Sequence, residues 1–314
     1  MASVPSDRTI VLHLLRGAVP ERADDLSRLW REHGHEVEIA PSAHGSTMNA
    51  TSKRIKFDTK TIDFFWLLGF SAWRAIEVYA PALTLATATG ITLEAALNID
   101  NERGQFEQDY KHRISSAKSL LNAAATFEIE WPEDIPQPTA DRESLSNGQD
   151  KAVFDLVALA LAFALLHEFK HVQARAVEAA EQTPEDDRQA AAEEEMACDT
   201  WARNFMTTGI DAYAQSHGHT YGQVEQKRAM GIALAAVIIH AMTPLHAHWG
   251  SDDYPPIGDR LEATIGGYNL PDASAFWVFT ACLLIALMRQ DGRRLDYTGS
   301  SFREFVMTLL AELR

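Results

Sequence analysis

Ten residues, Val157 to Leu166, run without a polar side chain straight into His167-Glu168-Phe169-Lys170-His171. A helix that is apolar on all sides belongs in the interior of a protein. The rest of the chain therefore has to be arranged around this one. Residues four apart on a helix lie about 40° from each other and one turn apart. His167 and His171 share a face and can share a metal ion, while Glu168, about 100° further round, flanks them. Two imidazoles and a carboxylate continuing a buried helix are costly unless something satisfies them. A solvated helix could carry the same residues harmlessly, but the apolar run before them argues against that. The pattern suits a zinc hydrolase, with two imidazole ligands and a carboxylate beside the metal-bound water. Lys170 departs from the usual form, in which both intervening positions are uncharged.

A hydrolytic zinc ion keeps three protein ligands and one water, so a third ligand must lie elsewhere. The candidate is Glu193-Glu194-Glu195-Met196-Ala197-Cys198-Asp199. Glu195 and Asp199 are four apart, so one helical face offers Glu195 to the metal and Asp199 to the free N–H of a ligand histidine. Glu194 is a rival ligand, spaced equally from Cys198, which itself reads as a packed core cysteine. A glutamate run alone would read as a solvated helix; its place on the next helix after the histidines changes that reading.

The chain has 314 residues, enough for one large domain or two smaller ones. It carries 28 basic and 44 acidic residues, a net charge of −16, which argues against non-specific binding to nucleic acid or to an anionic membrane. Two cysteines and no Cys-x-x-Cys pair fit a reducing cytoplasm, and the first residues show no signal-peptide pattern. The apolar stretch from Ala273 to Met288 is sixteen residues, short of the about 20 that a membrane span needs, and reads as a core helix.

The expected fold is mainly α, resembling the helical zincin-like metallopeptidases, with a small α/β or irregular N-terminal portion over residues 1–60 and a helical domain over 61–314. Residues 8–16 read as a strand, Glu21 to His33 as a helix, and residues 35–39 and 54–58 as strands. A helix from Asp63 to Thr89 should break near Pro81, with Arg74 and Glu77 paired across one turn. Shorter helical patterns follow at Thr92 to Asn98 and Glu102 to Phe127. Three prolines between Trp131 and Pro138 make a connector. The motif helix should start near Ser146–Asp150 and run past His171 to about Ala180. Thr183 and Pro184 would cap and open the next helix. Helices at Val224–Ile239, Ala273–Gln290 and Phe302–Leu313 complete the pattern, with Thr243–Gly258 rich in turns.

The two motif helices together resemble the thermolysin-type (gluzincin) metallopeptidases. In its helical setting, His167-Glu168-Phe169-Lys170-His171 followed by Glu193-Glu194-Glu195-Met196-Ala197-Cys198-Asp199-Thr200-Trp201-Ala202 resembles the bacterial phage-exclusion peptidases of the Lit type, over roughly residues 155–260. The resemblance implies a cytoplasmic zinc endopeptidase with a protein substrate; the known member of that family cleaves elongation factor Tu. It also implies a downstream His-Pro element followed by an arginine. Here the match is Asp253-Tyr254-Pro255-Pro256-Ile257-Gly258-Asp259-Arg260, with tyrosine in place of histidine.

The resulting expectation is zinc held by His167, His171 and Glu195, with Asp199 orienting a ligand histidine. Glu168 moves the proton, and Tyr254 with Arg260 or His248 stabilises the oxyanion. His240 reads as a core histidine. The alternative is a non-catalytic, metal-stabilised sensor or adaptor in phage defence, whose structural zinc would need a fourth ligand from His240, His246 or Cys198. A zinc hydrolase acting on a non-peptide bond is the third reading.

Overall fold

The computed structural model describes residues 7–33, 36–40, 48–99, 103–123, 129–138, 141–181, 188–251 and 254–314. In chain order they form α1 (Asp7–Ala18), α2 (Ala23–His33), β1 (Glu36–Ala40), β2 (Met48–Ala50), β3 (Arg54–Asp58), α3 (Thr59–Thr89), α4 (Leu93–Ile99) and α5 (Arg103–Asn122). Then follow α6 (Gly148–Glu181), α7 (Arg188–Thr207), α8 (Ile210–His217), α9 (Tyr221–Met242), α10 (Ile257–Gly266), α11 (Ala275–Gln290) and α12 (Phe302–Ala311). The fold is mainly α, and the one small sheet among the described residues lies in the N-terminal portion. The sheet order is β1-β3-β2, with β1 parallel and β2 antiparallel to β3.

The apolar run makes α6 the axis of the molecule. Helices α3, α7 and α9 pack along it, and α1 and the sheet cover its remaining sides. Two close approaches depend on glycine. A Cβ on Gly69 of α3 would strike the Val157 side chain, and one on Gly231 of α9 would strike Leu159. By length and composition α6 could cross a membrane, yet 72% of its apolar window is buried by the protein's own helices.

Residues 8–16 are helix, not strand. Val11, Leu15 and Ala18 are buried at helical spacing while Ile10 is exposed, so the core selects period 3.6 over alternation. The Asp7 carboxylate accepts the Ile39 N–H at 2.8 Å, which ties α1 to β1. Nor does α3 break at Pro81. The proline sits on the exposed face, where the carbonyl it leaves unbonded meets water. Arg74 and Glu77 pair at 2.6 Å. Helix α10 arises where the sequence suggested only turns up to Gly258. Thr183 and Pro184 lie outside the described residues.

The connector after α5 is pinned rather than loose. Trp66 donates to Pro136 O, Trp131 donates to Ile135 O at 2.8 Å, and Arg113 pairs with Asp134. Phe169 of the motif stacks between Trp30 of α2 and Trp201 of α7, with ring centroids 5.8 and 6.2 Å away. Lys170 turns its ammonium over the Trp201 ring, 5.9 Å from the centroid. The charge between the two histidines thus points to an aromatic face and not into the site.

Candidate metal centre and active site

Helix α6 brings His167, Glu168 and His171 to one buried place, and α7 packs its Glu195 and Asp199 against them. Nε2 of His167 and Nε2 of His171 stand 3.0 Å apart. The Glu195 carboxylate spans both, Oε2 at 3.3 Å from His167 Nε2 and Oε1 at 3.2 Å from His171 Nε2. Behind the rings, His167 Nδ1 lies 2.8 Å from Asp199 Oδ1, a contact short in distance but bent away from the N–H direction. His171 Nδ1 meets Glu194. Glu194, weighed from sequence as a rival ligand, therefore backs His171 as Asp199 backs His167. Cys198 is buried beside the same Nδ1.

This donor set fits a cation. Glu194 at His171 Nδ1 and, more obliquely, Asp199 at His167 Nδ1 favour a proton on that side of each ring, and both Nε2 atoms turn inward. Two inward lone pairs and a carboxylate, their atoms within 4.8 Å of one another, repel unless positive charge lies among them. The surrounding carboxylates favour positive charge here, carried by ring protons when no cation is bound. Burial pulls His167 down, but Asp199 and Glu195 outweigh it and lift the ring to about 9. Burial also pulls His171 down, and its contacts with Cys198, Glu194 and Glu195 lift it to about 12. Burial raises Glu195, but the two histidines and Arg260 hold it far below the carboxylate range. Burial raises Glu168 above its usual value, against the pull of His167 and His171.

Arg260, on the first turn of α10, reaches into this cluster from the other side. Its Nε and Nη2 donate to Asp199 at 2.8 and 3.0 Å, and its Nη1 lies 2.9 Å from Glu195 Oε2. This fork fixes both carboxylates of α7 in place, and the same side chain lines the cavity. The structure brings Tyr254 to the cavity, more than half exposed at its mouth. It does not bring His248 there. That ring packs on His240, centroids 4.5 Å apart, and its Nε2 lies 2.8 Å from Thr243 O.

The cavity in front of the cluster has a volume of about 160 Å³. Strand β2 forms one wall, Ala164 and Ile239 supply apolar lining, and Arg175 stands beside His171. Sequence reasoning missed β2 and Arg175. The arginine did carry a signal, since it follows His171 by four residues and so shares its face of α6.

A long buried helix with an imidazole pair, met by a carboxylate helix and faced by a solvent-open cavity, defines a helical enzyme of hydrolytic type. The Peptidase U49 family model matches residues 55–280, well over half of the chain, and the chain belongs to that family of peptidases. The match takes in β3, α6, α7, α9 and α10, and with them every residue of the cluster. Comparison with curated proteins and with solved structures found no match.

Proposed function

We propose that the chain is a zinc-dependent endopeptidase of gluzincin arrangement. The observation that carries this reading is the meeting of His167 Nε2, His171 Nε2 and Glu195 beside the buried Glu168. Two imidazoles and one carboxylate suit zinc. A bound zinc ion supplies a Lewis acid that polarises the scissile carbonyl and makes water acidic enough to attack near neutral pH.

The protein's own groups do the rest. Asp199 and Glu194 hold the two rings in one tautomer and orientation. Glu168, with its affinity for protons raised by burial, takes the proton of the attacking water and delivers it to the leaving amine. Tyr254, which lines the same cavity, donates its phenol to the developing oxyanion in this reading. Strand β2 offers a docking edge. Thr51 N–H donates to Arg54 O at 2.8 Å, so by alternation Asn49 faces β3 and the main-chain groups of Met48 and Ala50 face away from it. An extended peptide can pair along that edge, with its scissile bond carried past the cluster.

The resemblance to the Lit-type peptidases supports a cytoplasmic phage-exclusion protease acting on the translation machinery, with elongation factor Tu as the first substrate to test. The test compares new protein N-termini in cells expressing wild type or Glu168→Gln, with and without phage. Fragments that depend on Glu168 are expected; identical sets of N-termini from the two proteins would defeat the reading. The adaptor alternative needs a fourth ligand, and among the described residues no fourth side chain joins the cluster of His167, His171 and Glu195.

A further inference from the structure

We infer that Arg175 sets the specificity of this peptidase, by taking a side-chain carboxylate of the substrate close to the scissile bond. The inference rests on the peptidase reading of the metal cluster. Arg175 lies one turn beyond His171 on the same face of α6 and lines the same cavity. Its Nη1 donates to Ala50 O on the outward edge of β2, which places the guanidinium where the edge strand meets the site. A guanidinium has five N–H donors in a flat fork, and this contact uses one.

The neighbouring charges explain what the remaining donors are for. Arg260 engages Asp199 and Glu195, and His171 engages Glu194. Arg175 forms no ion pair with any carboxylate among the described residues, although its charge reaches both Glu168 and Glu194. A partly buried arginine at a cleft mouth, with donors unused among the described residues, suits a carboxylate from outside, gripped in two parallel hydrogen bonds. The rest of the molecule sharpens the choice. With a net charge of −16 the protein repels acidic peptides in general, so a substrate glutamate or aspartate needs a local cation such as Arg175. A lysine or arginine at that substrate position would face a like charge.

The experiment uses zinc-loaded full-length protein and short peptide hydroxamates, with binding read by calorimetry. Each probe carries glutamate, glutamine or lysine at one side-chain position, and the position is moved along the peptide. At one position the glutamate probe should bind wild type about tenfold tighter than the glutamine probe, with lysine weakest. Arg175→Gln should bring the glutamate-to-glutamine ratio to about one, and Arg175→Lys should restore part of it, as expected of a charge and not of a mere packing role. Hydroxamates that bind wild type with equal affinity at every position overturn the inference and leave the metal site standing. So does a ratio that survives in Arg175→Gln. A protein that takes up no zinc and binds no hydroxamate overturns the peptidase reading, and this inference with it.

Discussion

His167 and His171 meet Nε2 to Nε2 at 3.0 Å, each with a carboxylate at its back. The two Nε2 atoms and the Glu195 carboxylate crowd one place, and a cation bound among them would satisfy all three. The purified chain should therefore hold one zinc ion, and Glu195→Ala should lose it. Because an ion that binds only the folded state stabilises it by mass action, chelation should lower the melting temperature of wild type and leave Glu195→Ala unmoved. Elemental analysis with thermal melts checks this, and a metal-free wild type that melts the same with and without chelator would falsify it.

Glu168 is buried next to the cluster and is not one of its three donors. Glu168→Gln keeps the shape and removes the proton carrier. The variant should retain zinc and its wild-type melting temperature while losing peptide cleavage by about 100-fold or more. A Glu168→Gln protein that cleaves at the wild-type rate would assign proton transfer to another group.

The site was legible in sequence where one helix carries both partners of a relationship. His167 with His171, and Glu195 with Asp199, are four apart on helices long enough to keep their faces. Relationships that depend on how elements meet were not legible. The sequence points Arg260 to the oxyanion by resemblance; α10 brings it to the cavity and also onto Asp199 and Glu195, two contacts that no pattern in the chain shows. His248 was grouped with it by proximity in sequence, yet its ring turns to His240. Strand β2 is three residues long and exists because β3 pairs with it, which no window over residues 48–50 reveals. The apolar run at Ile10–Leu15 allows both strand and helix, and only the burial of Val11, Leu15 and Ala18 chooses.

The position of Arg260 separates two roles by measurement. It is largely buried and holds two carboxylates, so Arg260→Ala leaves buried negative charge uncompensated. Breaking a buried pair in this way costs about 3 kcal/mol or more. Urea denaturation should register that loss, and zinc affinity should fall as Glu195 and Asp199 lose their clamp. Were Arg260 acting on the oxyanion, stability and zinc content would hold and only kcat would drop.

Packing around α6 gives a prediction remote from the chemistry. Gly231 lets α9 approach Leu159 so closely that a methyl group has no room. Gly231→Ala gains about 1 kcal/mol in helix propensity. It forces α6 and α9 apart at a cost of about 1–3 kcal/mol. The net expectation is a lower melting temperature. A variant that melts higher than wild type would mean that the two helices are not in contact there.

His240, buried in α9, gives a pH dependence whose sign is fixed. Burial, with lesser help from His248 and Arg293, holds its ring down to about 4, against about 6.5 in the unfolded chain. Between those values the unfolded chain binds the proton and the folded one does not, so stability rises with pH. The contribution is complete above about pH 6.5 and is lost as pH falls towards about 4. Between about pH 7.5 and about pH 5 it amounts to about 2 kcal/mol. His240→Gln, which does not titrate, should lose less stability than wild type over that interval by about this amount. Urea denaturation of the zinc-loaded proteins at the two pH values measures the difference. Parallel losses in wild type and variant would show that His240 takes up its proton in the folded state as readily as in the unfolded one.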